Sequence, residues 1–240
     1  ASMGWLSIWH LGVGCFINGI CWAADNPVRR MMIGDSVGAQ RIGPAPVALD
    51  EFPFFVVHKS RLIIQRKRID LIKPGCDIIL VDGITEGAAC TTLLASGLID
   101  NDEPFLIANS DQIVDWNSNE CLYAFGAEGV DGGILTFKAT HPKWSYAKLG
   151  DDGLVNEVAE KNPISDNATV GIYYWKHGSD YVKYANQMIE KNIRTNNEFY
   201  VCPVFNEAIG DGKKIRIKEV PKMWGIGTPE DLNYYLENNK

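Results

Sequence analysis

The stretch that decides the fold spans residues 78–112 and reads IILVDGITEGAACTTLLASGLIDNDEPFLIANSDQ. It opens with a short apolar run at residues 78–81, which is typical of a strand buried on both faces. Apolar residues at helical spacing then predict a helix over residues 85–98. A second apolar run at residues 105–108 predicts the next strand. Strand, helix and strand at this spacing indicate a βαβ unit in a largely parallel sheet.

The pattern of short apolar runs and periodic segments extends over most of the chain. Further strands are predicted at residues 54–57, 133–137, 155–159, 169–175 and 215–220. An amphipathic helix is predicted at residues 179–191, and Thr228 followed by Pro229 and two acids marks the start of another. The expected fold class is therefore α/β: an open, mostly parallel mixed sheet flanked by helices, in one domain covering residues 1–240.

Composition excludes several classes of protein. The chain has 240 residues, of which 46% are hydrophobic and 22% charged, so it is neither disordered nor a collagen-like repeat nor a disulfide miniprotein. A net charge of −7 makes broad nucleic-acid binding unfavourable, although a local cationic pocket still suits a small phosphorylated ligand. The six cysteines form no C-x-x-C pair. They predict reduced, mostly buried thiols and a cytoplasmic protein.

The N-terminal segment, residues 1–50, is unlike the rest of the chain. Residues 5–24 carry no formal charge, and their length fits a membrane span of about 20 residues. Gly12, Gly14 and Gly19 interrupt the apolar run, however. A buried strand followed by a glycine loop is therefore the favoured interpretation, and we expect no membrane association.

Two groups of residues at predicted strand ends suggest nucleotide chemistry. Asp111 follows the strand at 105–108, and ligands of open α/β sheets bind outside the carboxyl ends of the strands. A carboxylate there can hold Mg²⁺ against a phosphate, although an aspartate capping a turn gives the same pattern. Glu86, Gly87 and Ala88 stand at a predicted helix start, where small residues let a base or phosphate approach the backbone. Close packing of helix on sheet uses the same small residues.

Two further groups suggest recognition of a second substrate. Glu160 and Lys161 end a predicted strand and offer an acceptor for sugar hydroxyls and a cation for a phosphate. A solvated ion pair is the alternative. Glu198 precedes two aromatic residues and could contact polar groups of a substrate, or simply begin a short helix.

In this order, these groups resemble the motifs of the sugar-phosphate nucleotidylyltransferase family over about residues 54–236. The resemblance implies an open sheet of the nucleotide-diphospho-sugar transferase (GT-A-like) type. It implies that Asp111 binds the metal, and that Glu86, Gly87 and Ala88 form the turn that contacts the base. It assigns the acceptor substrate to Tyr146, Glu160, Lys161, Thr169 and Glu198.

The implied reaction joins an NTP to a sugar phosphate or a related phosphorylated alcohol and releases pyrophosphate, with Mg²⁺ as cofactor. Asp111 and Lys161 are then the catalytic residues, and the product is a precursor for surface polysaccharide. Asp82 stands where relatives often place a base-reading amide; because a carboxylate only accepts hydrogen bonds, it favours CTP or GTP. Assembly as a homo-oligomer is compatible with the sequence.

The chain departs from the family near its N-terminus. The family has a Gly-x-Gly-x-Arg loop and a later Lys-Pro pair. Gly12 and Gly14 supply the glycines and are candidate nucleotide-binding residues, but Phe16 replaces the arginine and Asn26 the lysine. We therefore expect weak or absent activity, and a catalytically impaired nucleotide-binding homologue is one alternative function.

A second departure lies near the C-terminus, where Gly225 occupies the place of a second acid or amide that relatives offer the metal. Asp111 would then hold the metal with phosphates and waters only. The other alternative function is a glycosyltransferase that consumes an NDP-sugar. Its expected Asp-x-Asp motif is matched at residues 100–102, but these precede a strand and do not follow one.

Overall fold

The computed structural model describes residues 32–34, 54–58, 77–109 and 112–238. Its strands are β1 (Met32–Gly34), β2 (Phe54–His58), β3 (Asp77–Val81), β4 (Phe105–Asn109), β5 (Gln112–Asp115), β6 (Gly132–Lys138), β7 (Ser145–Leu149), β8 (Val155–Glu160), β9 (Asn167–Trp175), β10 (Ile215–Glu219) and β11 (Lys222–Gly225). Its helices are α1 (Ala88–Leu93), α2 (Ser96–Ile99), α3 (Ser118–Ala127), α4 (Gly178–Glu190), α5 (Val204–Gly210) and α6 (Pro229–Asn238). Alternating strands and helices confirm the predicted α/β class.

Nine of the described strands form one open sheet, whose main path runs β10-β6-β9-β4-β1-β2-β3. Outside this path, β7 pairs with β9, and β8 pairs with β7. The β2–β3 and β10–β6 pairs are parallel. The other described pairs of this sheet are antiparallel, so its strand directions are more mixed than the βαβ pattern predicts. The difference arises at β9 and β1, each of which is antiparallel to both of its neighbours on the main path.

The core consists of two apolar clusters on opposite faces of the sheet. Every residue of β9 is buried, and alternate side chains enter different clusters because successive side chains of a strand point to opposite faces. On one face the Trp175 ring stacks on Phe205 of α5, with centroids 4.3 Å apart. On the other face Tyr174 stacks on Phe125 of α3 at 5.6 Å. This double anchoring fixes the strand that carries Thr169.

The helix predicted over residues 85–98 is two short helices, α1 and α2. Gly87 has φ +133°, a value that prevents an earlier helical start, so α1 begins at Ala88. The Leu94 and Ala95 N–H groups bond the carbonyls three residues back, which tightens the chain between the two helices. The predicted start of α6 is confirmed, because the Asp231 N–H donates to the Thr228 hydroxyl at 3.1 Å.

The predictions for the N-terminal segment, including Gly12, Gly14 and the departures at Phe16 and Asn26, lie outside the described residues. Within the described ranges, no helix has the length and apolar character to cross a membrane.

Candidate active site

The loop between β3 and α1 is docked onto the segment around Phe199. The Phe199 N–H donates to the Glu86 carbonyl at 2.9 Å, and the Ala89 N–H donates to the Phe199 carbonyl at 2.9 Å. Gly87 lies between these bonds: a Cβ on it would come within 2.5 Å of the Phe199 carbonyl oxygen. The glycine is thus required for close backbone contact, and Ala88 follows as a buried first residue of α1.

A tight turn presents Glu198 beside this docking point. Thr195 and Glu198 exchange N–H···O bonds of 3.0 and 2.9 Å. Between them, Asn196 and Asn197 have φ values of +47° and +64°. Two consecutive left-handed residues form a type I′ turn, and asparagine tolerates that conformation better than most residues. The turn therefore holds Glu198 immediately before Phe199.

Arg194 is a site residue that the sequence analysis missed. Its guanidinium donates to the Glu86 carboxylate, to the Asn192 side-chain oxygen at 2.6 Å and to the Asn197 carbonyl at 3.2 Å. It also lies 3.9 Å from the centroid of the Phe199 ring. A planar fork of donors suits this set of partners. The sequence feature that could have indicated it is the Asn196-Asn197 pair two residues later. Such a pair marks a tight turn, and an arginine beside a turn can donate to its carbonyl groups.

Lys161 links the end of β8 to the same segment. Its φ of +55° turns the chain at the strand end, and its N–H donates to the Trp144 carbonyl at 3.0 Å. Its ammonium donates to the Tyr200 hydroxyl at 2.8 Å. The structure thus joins three predicted groups, those at Glu86, Glu160 and Glu198, through direct contacts.

Glu160 rests on a buried group of hydroxyls. It pairs with Ser145 across β7 and β8, and the Ser145 hydroxyl donates to its carboxylate. Thr169 is buried, and its hydroxyl lies 3.0 Å from the Tyr173 hydroxyl. Thr169 therefore supports the site from behind in this structure, and its hydroxyl does not face a cleft.

Burial also sets the protonation of the groups behind Glu160. It raises the pKa of the Tyr173 hydroxyl well above its ordinary value, and the nearby Cys202 and Glu160 add to that shift. Burial likewise raises the pKa of the Cys202 thiol, again with a contribution from Glu160. Both groups are neutral at physiological pH as a result.

Tyr146, a predicted acceptor-binding residue, is buried in β7. Its side chain is 0% exposed, and its hydroxyl donates to the His141 carbonyl at 2.6 Å. A buried tyrosine needs a partner for its hydroxyl, and this bond supplies it. The bond anchors the strand that carries Ser145, and the role of Tyr146 towards the acceptor stays a prediction.

Asp111 lies outside the described residues, but the strands beside it are described. Gln112 pairs with Gly225 in the β5–β11 ribbon, so residue 225 stands next to the residue that follows Asp111. A Cβ on Gly225 would lie 3.0 Å from the Trp144 ring. A side chain at position 225 would therefore lie in tight contact with the Trp144 indole. The described residues contain no group of three His, Cys, Asp or Glu side chains able to hold a metal ion.

Two other predicted features are placed clearly. Asp82 follows β3 and is exposed, with Gly83 next to it at φ +98°. The Asp-x-Asp match at residues 100–102 precedes β4, at the opposite end of that strand from Asp111. There the Asn101 carbonyl accepts from the Ser179 N–H of α4, at 2.8 Å, which gives the segment a packing role.

Comparison with solved structures identifies the fold. A nucleoside-diphosphate-sugar pyrophosphorylase from Vibrio cholerae superposes with a TM-score of 0.63 at 22% identity, over 77% of this chain and 80% of that one. The chain has the fold of the sugar-phosphate nucleotidylyltransferases. An inositol-1-phosphate CTP transferase from T. maritima matches at TM-score 0.57 and 14% identity, over 75% of this chain and 72% of that one.

A UDP-glucose pyrophosphorylase, solved with UDP-glucose, matches this nucleotidylyltransferase fold at TM-score 0.59 and 15% identity, over 77% of this chain and 81% of that one. No family model matches the sequence, and no curated protein matches it. At these identities the likeness establishes the fold alone. This fold is the one that the sequence motifs imply.

Proposed function

We propose that this chain is a nucleotidylyltransferase that joins an NTP to a sugar phosphate or a related phosphorylated alcohol and releases pyrophosphate. The observation that carries the proposal is the contact of three polar segments on a nucleotidylyltransferase fold. The segments that contain Glu86, Lys161 and Glu198 come from separate parts of the chain and are joined by bonds of Arg194, Phe199 and Tyr200. Such convergence at loops beside a sheet is typical of a ligand site in an open α/β fold.

The proposed reaction is an in-line displacement at the α-phosphorus of the NTP. A phosphate oxygen of the acceptor forms the new P–O bond, while the bond from the α-phosphorus to the bridging oxygen breaks and its electron pair leaves with pyrophosphate. The attacking phosphate is already an anion, so no strong general base is needed. Lys161 contacts the acceptor phosphate, and Glu160 and Glu198 accept hydrogen bonds from its hydroxyls. Catalysis is then positioning and neutralisation of charge.

Asp111 is the proposed ligand for Mg²⁺. Because residue 225 has no side chain to offer, Asp111 would hold Mg²⁺ together with phosphate oxygens and waters, a set that Mg²⁺ accepts readily. When bound, Mg²⁺ would neutralise charge on the reacting phosphates. Asp82, exposed after β3, would accept a hydrogen bond from the amino group of cytosine or the N–H edge of guanine, which favours CTP or GTP. A cytoplasmic role in making polysaccharide precursors is part of this proposal.

The test is release of pyrophosphate from each of the four common NTPs with a panel of sugar phosphates and phosphorylated alcohols, with and without Mg²⁺. Asp111→Ala should abolish it. Asp115→Ala is the matched control, because that carboxylate ends β5 and is exposed. An Asp111→Ala protein that releases pyrophosphate at the wild-type rate would exclude the metal role.

A nucleotide-binding homologue with impaired catalysis is the second candidate. It is favoured by the Trp144 ring at Gly225 and by the absence of the family's cations at Phe16 and Asn26. Removing one such stabilising group typically lowers a rate by about 10²–10³-fold. Thermal stabilisation by an NTP, without release of pyrophosphate from any acceptor pair, is the result that this candidate predicts.

A further inference from the structure

Behind Glu160 lies a group of buried hydroxyls. Ser145, Thr169 and Tyr173 are all buried, with 9%, 4% and 4% of their surface exposed. The Ser145 hydroxyl donates to the Glu160 carboxylate, and the Thr169 and Tyr173 hydroxyls lie 3.0 Å apart. The two pairs are neighbours, because Ser145 and Glu160 both influence the pKa of the Tyr173 hydroxyl.

The direction of the bond between Ser145 and Glu160 follows from the chemistry of the two groups. A carboxylate can only accept, so Ser145 must use its single proton on Glu160. Between Thr169 and Tyr173, either hydroxyl can be the donor.

The hydrogen bond from Ser145 does more than satisfy a buried hydroxyl, because it restricts the Glu160 carboxylate to one rotamer. The bond from Ser145 is charge-assisted and therefore stronger than one between neutral groups. An apolar side chain at position 145 would pack in the strand equally well. The hydroxyl is therefore better explained by its bond to Glu160 than by packing.

We infer that Ser145 is a positioning residue, which fixes the Glu160 carboxylate so that it can accept hydrogen bonds from the hydroxyls of the acceptor. The inference rests on the proposed function. It assigns a supporting role to the Tyr173 hydroxyl, which neighbours Ser145, and to Thr169, whose hydroxyl bonds that of Tyr173. It also predicts that the acceptor carries at least one hydroxyl besides its phosphate, as a sugar phosphate or a polyol phosphate does.

The test is a steady-state measurement of pyrophosphate release by Ser145→Ala, with each substrate varied in turn. We expect the KM for the acceptor to rise about 10-fold, the scale of a lost hydrogen bond to a charged group, with the KM for the NTP unchanged. Ser145→Thr keeps the hydroxyl and should restore most of the loss. Tyr173→Phe should change the same KM in the same direction, by less. In a Glu160→Gln background, Ser145→Ala should add little, since the two act as a unit.

Ser179→Ala is the matched control. The Ser179 hydroxyl donates to the Asp102 carboxylate at 3.4 Å, so this variant also removes a bond from serine to a carboxylate, but in the segment that precedes β4. Equal effects of Ser145→Ala on both substrates, or full additivity with Glu160→Gln, would overturn the inference. If the wild type turns over no substrate pair, the proposed function fails. In that case, crystal structures of the wild type and of Ser145→Ala test the positioning role separately. A different Glu160 rotamer in the two structures supports the role, and the same rotamer in both refutes it.

Discussion

Gly87→Ala is the substitution for which the structure gives the sharpest expected cost. Gly87 has φ +133° and ψ 176°, a region of backbone space that is essentially restricted to glycine. Occupying it with alanine costs about 1–3 kcal/mol. The new Cβ would also lie 2.5 and 2.6 Å from the Phe199 oxygen and nitrogen, both of which make hydrogen bonds to the loop. Losing those two bonds adds about 2 kcal/mol, so we expect a total near 3–5 kcal/mol.

Gly83→Ala is the matched control for this prediction. Gly83 has φ +98°, but a Cβ on it would meet nothing within 4 Å. It therefore carries the backbone strain without the collision. A difference of about 2 kcal/mol between the variants corresponds to about 4–8 °C in melting temperature for a chain of this size.

Differential scanning calorimetry or urea unfolding of the two variants measures this difference. The KM for the NTP should also rise more in Gly87→Ala, since the displaced loop carries Glu86. If both variants melt at the same temperature, the close contact between Gly87 and Phe199 is not a source of stability, and the reasoning fails.

Three further predictions follow from the site. Lys161→Met should lower kcat/KM for the acceptor by about 10²–10³-fold in the pyrophosphate assay, with Lys161→Arg less affected; equal activity of Lys161→Met and wild type would refute its role. CTP or GTP with Mg²⁺ should raise the melting temperature more than UTP or dTTP, and stabilisation by UTP or dTTP alone would contradict the role given to Asp82. Because burial raises the pKa of its thiol, Cys202 should escape alkylation by iodoacetamide at pH 8 in the native protein but react in urea, as read by peptide mass spectrometry.

Seven strands (β2, β3, β4, β6, β8, β9 and β10) and the helices α4 and α6 were predictable from their apolar patterns. The short strands β1, β5, β7 and β11 and the helix α3 were not predicted, although Asn117 and Glu120 form a recognisable cap of α3 at 3.2 Å.

Prediction also failed where a contact distant in the chain decides the local structure. The helix expected from Thr85 begins three residues later because Phe199, more than a hundred positions away, occupies the space beside Gly87. The continuous apolar run of β9 is typical of a parallel strand, but β9 is antiparallel to both β4 and β6.

The candidate site was predictable in part. Motif order brought Glu86, Glu160, Lys161 and Glu198 into one prediction, and the structure joins the segments that carry them. Arg194 was missed because its importance comes from four partners that the fold assembles. No motif indicated that the Tyr146 hydroxyl donates to the His141 carbonyl, because that contact depends on the burial of β7.

The burial of β9 has a consequence for how the protein opens. Its side chains pack into both apolar clusters, one on each face of the sheet. Neither cluster can therefore open without exposing side chains of the strand that also holds the other cluster. Local opening of that kind is as costly as global unfolding, and the amide protons of β9 should be among the slowest to exchange with deuterium. Both clusters should then unfold in a single cooperative transition, because β9 belongs to both.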